Sequence, residues 1–198
     1  MAKKKSKIVD RKAGKNKVRK KESSPWPWLI GAGVAALIVI PVAFNMVQSA
    51  NLPGESFRSQ GNTHIELGDA HPEYNSEPPT SGWHTGDLAP WGSHDFVVPD
   101  QRLIHNMEDG GVILWYPYGS PEENEEHIQI LEEAVETAEE TIGASLRHVV
   151  ITPRENLASA YVMTAWTRMQ ELEAFDQDAI TTFLKAFEGI DHHARGTG

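Results

Sequence analysis

The sequence predicts an α+β fold: a single N-terminal transmembrane helix, then a small two-layer domain in the order strand–helix–strand–strand–helix, with a long ordered Pro-rich loop. Three observations carry that expectation. Residues 29–44 form an apolar run without a charge. Residues 111–116 are a short run of β-forming apolar residues, followed by a capped amphipathic helix. Residues 64–100 hold five prolines, Trp83 and Trp91, with almost no apolar periodicity.

Charge organises the N-terminal quarter. Residues 1–24 carry eleven of the eighteen Lys and Arg and only Asp10 and Glu22 against them. The remainder keeps seven basic and 26 acidic residues, a balance of −19. So acidic a body repels phosphate backbones, which excludes nucleic acid as a partner. The basic stretch reads instead as a disordered cytoplasmic tail. The uncharged run, taken with its flanks over residues 25–47, supplies the ~20 residues a helix needs to cross a bilayer. Trp26 and Trp28 suit its interface, and Pro41 is tolerated within such a span. A cleaved signal peptide is the rival, with Val47, Gln48 and Ser49 following the run; the length of the run favours an uncleaved anchor. The expected arrangement is a single-pass cell-membrane protein with its N-terminus cytoplasmic and its C-terminal domain outside. Residues 48–62 read as a polar tether, 63–190 as the exported domain and 191–198 as a disordered tail. The chain has no cysteine, which excludes disulfides, thiolate nucleophiles, zinc–cysteine sites and iron–sulfur clusters.

Within the domain, residues 64–100 read as a long ordered loop, stiff over 74–84, and residues 104–109 as loop residues before the Gly110–Gly111 step into the first strand. Ser120, Pro121 and Glu123 then form a helix start of the capping-box type. Ile128, Leu131, Val135, Ala138 and Ile142 make one apolar stripe, and Gly143 ends the helix. Residues 148–152 predict a second strand, stopped by Pro153 and parallel to the first. Residues 159–167 predict a third, paired to the second across a turn at 154–157. Asp176 caps a last helix that turns Ala179, Ile180, Phe183, Leu184 and Phe187 to the sheet.

Five histidines, His64, His71, His84, His94 and His105, fall within some forty residues. Neutral imidazole is the commonest protein metal ligand, so this density is the main chemical signal. Three His, or His with a carboxylate, suit zinc or iron; adding Met107 would suit copper. Glu108 and Asp109 beside His105 also allow an acid/base pair, or, in a purely structural role, Asn106 and Asp109 shape the Gly110–Gly111 turn. Ser76 and Ser81 near His84 suggest a nucleophile only loosely, since no Gly-x-Ser-x-Gly elbow exists. His127 and His148 read as structural, and His192 and His193 as part of an unstructured tail.

Two blocks carry a family resemblance. Tyr74, Asn75, Ser76, Pro78, Pro79, Thr80, Ser81, Gly82 and His84 form the first; His105, Asn106, Glu108, Gly110, Gly111 and Val112 form the second. Together they resemble a bacterial and archaeal family called domain of unknown function 3105, as do Ala165-Trp166 and Phe175-Asp176 before the last helix. The resemblance implies a basic tail, one membrane anchor and an exported domain. It is compatible with a metal, copper among the candidates. Met107 stands for the family's usual Leu and Asp109 for its usual His; if that His is a metal ligand, this chain either uses the Asp109 carboxylate or has a weakened site, with His94 as a candidate substitute.

The leading expectation is a membrane-anchored exported domain binding a transition metal, copper or zinc, or a small ligand. Its candidate ligands are His64, His71, His84, His105 and Glu108. One alternative is a non-catalytic assembly module beside a membrane-protein partner, anchored through Trp83 and Trp91. A further one is a metal-dependent hydrolase with Glu108 as base.

Overall fold

A computed structural model describes residues 52–193. The basic tail and the expected membrane span lie outside the described residues. Among those described, no helix is long and apolar enough to cross a membrane. They build a mixed α+β fold with one six-stranded sheet and three helices. The elements are β1 (Glu55–Ser56), β2 (Gly92–Ser93), α1 (Asp100–Glu108), β3 (Val112–Pro117), α2 (Pro121–Ile142), β4 (Val149–Arg154), β5 (Tyr161–Ala165), β6 (Arg168–Leu172) and α3 (Gln177–Phe187). The strand order is β1-β6-β5-β3-β4-β2.

The strand–helix–strand unit forms as expected: β3 and β4 pair in parallel, Val112 opposite Val149 and Pro117 opposite Arg154. Both flanking helices begin where local chemistry demands. Ser120 accepts from the Glu123 backbone while the Glu123 carboxylate accepts from Ser120 N, and Gly143 closes α2 in the left-handed region at φ 75°. Asp176 caps α3 by accepting from Ala179 N. The sheet face they cover is mainly apolar, although Arg168 and Gln170 of β6 lie on it as well. Val112, Leu114, Tyr116, Val149, Ile151 and Met163 meet Ile128, Leu131, Ala138, Ile180, Phe183 and Leu184.

The opposite face departs from the expected two layers. Strand side chains alternate between faces, and here both sets are buried. Ile113, Trp115, Val150, Val162 and Met169 pack under Leu103, Ile104, Met107, Ala89 and Val98. A third layer, built of α1 and the Pro-rich coil, therefore covers the sheet. Residues 104–108 read as loop from sequence but form helix with 100–103. Its apolar stripe is only Leu103, Ile104 and Met107, too short to stand out, and seven of its nine residues are buried, polar ones included. The start also lacks a capping side chain, because Pro99 occupies the N-cap.

Three further elements differ from expectation. Residues 159–167 are not one strand: Trp166 and Thr167 turn the chain, Thr167 at φ 60°, into the additional strand β6. β5 pairs with β3 rather than β4, whose other edge is taken by β2. Pro153 does not stop β4. It lies within the strand opposite Tyr116, beyond the two residues that β2 covers, so its missing N–H faces an open edge. Finally, β1 and Phe57 lie in the expected tether, yet β1 joins β6 and Phe57 packs on the sheet.

Candidate metal centre

Three short pieces of backbone converge above the coil-covered face. The first is α1, where His105, Glu108 and Asp109 stand at positions i, i+3 and i+4 and so share one side of the helix. The second and third are residues 63–65 and 84, joined by a parallel bridge between His64 and His84. Ile65 N donates to His84 O at 2.8 Å and His84 N to Thr63 O at 3.1 Å. Asn106 locks the coil to the helix: Ala89 N donates to its Oδ1 and its Nδ2 donates to Ala89 O, both at 2.9 Å. Arg154 ties the same layer to β4 through ion pairs with Glu77 and Asp100 while lying 4.9 Å over the Trp115 ring.

The two glycines after α1 are needed for this placement. Gly110 ends the helix at φ 87°, and a Cβ there would lie 2.8 Å from Ile190 N. A Cβ on Gly111 would lie 2.5 Å from Asn106 O and 2.9 Å from Trp91.

His64, His84, His105 and Glu108 come together with one donor atom each, all within 4.8 Å of one another. Glu108 and His84 form the floor, with Glu108 wholly buried and His84 likewise. His64 has 53% of its side chain exposed and faces solvent. His84 Nε2 lies 2.9 Å from Glu108 Oε2, and His64 Nε2 lies 3.7 Å from the same oxygen. Asn62 Nδ2 donates to Glu108 Oε1 at 2.8 Å. Trp166 walls one side, its ring 6.3 Å from that of His84.

The tautomers follow from the partners. A carbonyl oxygen only accepts, so His84 Nδ1 must donate to Gly82 O at 2.8 Å, and His105 Nδ1 to Thr85 O at 2.6 Å. Each neutral ring then turns an Nε2 lone pair into the cluster. This arrangement is the usual support for a metal-binding imidazole, which donates its other N–H to a carbonyl or carboxylate. It also creates a conflict. The His84 Nε2 lone pair faces a carboxylate oxygen at hydrogen-bond distance, which is repulsive unless a proton or a cation lies between them. Burial lowers the His84 pKa from its ordinary 6.5, against the Gly82 hydrogen bond and the Glu108 charge that pull the other way. Burial thus weighs against the imidazolium form, and a metal cation between the two groups could satisfy both.

Of the five residues singled out as ligands, His71 alone stays apart. Its Nδ1 meets Pro72 O at 2.8 Å, and its ring packs on Tyr74 and Trp83. Met107 is buried in the apolar core, so it adds no sulfur to the centre. His94 meets Pro90 O and supports the coil rather than replacing a ligand. His127 and His148 hold Tyr161 and Glu188. Ser76 bonds Thr80, and Ser81 Oγ accepts from Gln60 N, which leaves neither placed as a nucleophile. Asn106 and Asp109 do not use their side chains to shape the glycine turn. The first clamps Ala89, and the second lies 3.9 Å from His105 Nε2. His192 and His193, expected in an unstructured tail, reach the centre. His192 N donates to Glu108 O, and His193 Nε2 lies 3.6 Å from Glu108 Oε2. Their position past a glycine hid them, and only their chemistry, two adjacent imidazoles, pointed to the site.

Fold and cluster together define a small α+β domain with a histidine–carboxylate centre whose donors could hold a metal ion. The chain belongs to the family described as "Protein of unknown function (DUF3105)", which matches residues 67–196. That stretch includes His84, His105, Glu108 and His193, while His64 precedes it. No curated protein and no solved structure matches the chain.

Proposed function

We propose that this protein is a membrane-anchored, exported domain that binds one divalent transition-metal ion through His64, His84, His105 and Glu108. The observation that carries the reading is the 2.9 Å approach of His84 Nε2 to Glu108 Oε2, with the His84 proton already committed to Gly82. Three imidazoles and one carboxylate suit zinc or copper(II); with Met107 in the core, nothing favours copper(I). Donors around a metal with bonds of about 2.1 Å lie ~3.4 Å apart in a tetrahedron, between the 2.9 Å of the His84–Glu108 pair and the 3.7 Å of the His64–Glu108 pair. Glu108 suits a ligand better than a hydrolytic base, because Asn62 holds Oε1 and the wholly buried side chain turns Oε2 toward His84 Nε2 and His64 Nε2. The anchoring part of the proposal rests on the uncharged run 29–44 behind the basic tail.

The test is elemental analysis of the untagged full chain, purified in detergent without chelator and then titrated with zinc and copper(II). About one ion per chain is expected. It should be lost from the His84→Ala, His105→Ala double variant while circular dichroism shows the fold retained. A wild-type chain that takes up neither ion would overturn the reading.

A further inference from the structure

A second group of donors adjoins the first where α1 meets the C-terminal segment, apart from the solvent-facing His64. His105, Asp109 and His193 also place one ligand atom each within 4.8 Å of one another. Exposure rises outward: His105 has 11% of its side chain exposed, Asp109 29% and His193 44%. The C-terminal segment is fastened so as to hold His193 there. Gly189 N donates to Gly110 O, His192 N donates to Glu108 O, and the His192 ring stacks on Trp166 at 6.0 Å. The two nitrogens of His193 address both carboxylates, with Nε2 3.6 Å from Glu108 Oε2 and Nδ1 3.4 Å from Asp109 Oδ1. Nδ1 also lies 2.8 Å from Asp191 Oδ1.

The two groups share His105, and His105 has one nitrogen to give, since Nδ1 is committed to Thr85 O. Both groups therefore cannot be filled through it at once. We propose that Asp109 and His193 form an outer capture position from which a single divalent ion passes to the buried position at His84 and Glu108, with His105 as the ligand common to both. This inference rests on the metal-binding reading above and deepens it. An outer donor pair lets incoming ligands replace water in steps, so the ion need not lose its hydration shell in one event before meeting the buried carboxylate. The same stepwise path serves release to an acceptor.

The test compares the full chain in detergent with its His193→Ala and Asp109→Asn variants. Zinc uptake is followed by stopped flow and release by transfer to excess chelator. A group that serves only on the path slows entry and exit together. Both variants should therefore lower the on-rate and the off-rate by a similar factor, about tenfold, and leave the equilibrium constant nearly unchanged. Stoichiometry should stay at one ion per chain. Faster release with unchanged uptake would make His193 an ordinary ligand of a single site and overturn the proposal. So would rates that do not move, or a second ion bound by the wild type. Failure of the wild type to bind zinc at all would instead remove the centre itself, a separate outcome read before any variant is made.

Discussion

The two faces of the sheet are built on opposite principles. On the α2/α3 face, the buried surface is mainly apolar, with Arg168 and Asn124 as exceptions, and the helices are capped and periodic. On the α1 face, Thr80, Ser81, His84, Asn106 and Glu108 are all buried beside apolar residues, beneath a coil rich in proline. Burying a carboxylate and several amides and hydroxyls costs free energy unless each finds a partner. That face meets the cost through side-chain-to-backbone bonds such as Asn106 to Ala89, and leaves one pairing, His84 with Glu108, to be completed by a proton or a cation. One face therefore holds the molecule together, and the other holds a site.

The largest expected effect breaks the stabilising face alone. Phe183 is fully buried between α3 and the sheet. Phe183→Ala should destabilise the fold by about 3–5 kcal/mol in a denaturant titration. Metal affinity of the molecules that remain folded should be unchanged. A loss of affinity equal to the loss of stability would show that the two faces are not separable.

Next in size is the gain from metal. An ion that binds only the folded state at 100 times its dissociation constant adds about 2.7 kcal/mol of stability. The melting temperature of the wild type should rise on adding zinc, and that of Glu108→Gln should not. Without metal the order should reverse: replacing a buried carboxylate by a neutral amide of similar shape should leave stability equal or higher. If Glu108→Gln destabilises the metal-free chain as much as it weakens binding, the carboxylate is a structural group.

Supporting bonds should matter less than ligands. Asn62 touches the centre only by donating to Glu108 Oε1. Asn62→Ala should weaken metal affinity about tenfold, at the low end for a residue that orients a ligand, without changing stoichiometry. Equilibrium competition with a chelator of known affinity measures this directly, and an unchanged constant would show that Glu108 is oriented without Asn62.

Acid should act on the site face with a definite sign. The folded pKa of His84 lies below its unfolded value of 6.5, chiefly through burial. Below pH 6.5 the unfolded chain therefore binds the proton first, and the His84 contribution to the metal-free fold is lost as pH falls toward the lower folded pKa. Above pH 6.5 that contribution is flat. Thermal melts of the wild type and His84→Ala across this window should diverge in slope. Parallel slopes would assign acid sensitivity to other groups.

The contrast also explains what was legible in the sequence. Apolar spacing and caps identified α2 and α3 to within a residue or two, because on that face packing and local propensity agree. α1 escaped because its apolar stripe is only Leu103, Ile104 and Met107, set among polar residues of which His105 and Glu108 build the centre. β6 escaped because the turn at Trp166 and Thr167 contains neither glycine nor proline, and the left-handed conformation falls on a threonine. Histidine density marked the right region without distinguishing convergence in space from nearness in sequence.

His71 isolates that last distinction, and its expected effect is the smallest. It lies within the same run of histidines as His64 and His84, so sequence spacing ranks it with them. In the fold its ring is spent on Tyr74, whose hydroxyl donates to Trp83 O and whose pKa is pushed up to about 12 by burial and then by Asp100. His71→Ala should change stability by about 0.5–1 kcal/mol, the order of one aromatic contact at a half-buried ring. Metal stoichiometry and affinity should match the wild type in the same chelator competition. A measurable loss of affinity would mean that the loop carrying His71 folds over the centre when metal is present, and the line between structural and ligating histidines would have to be redrawn.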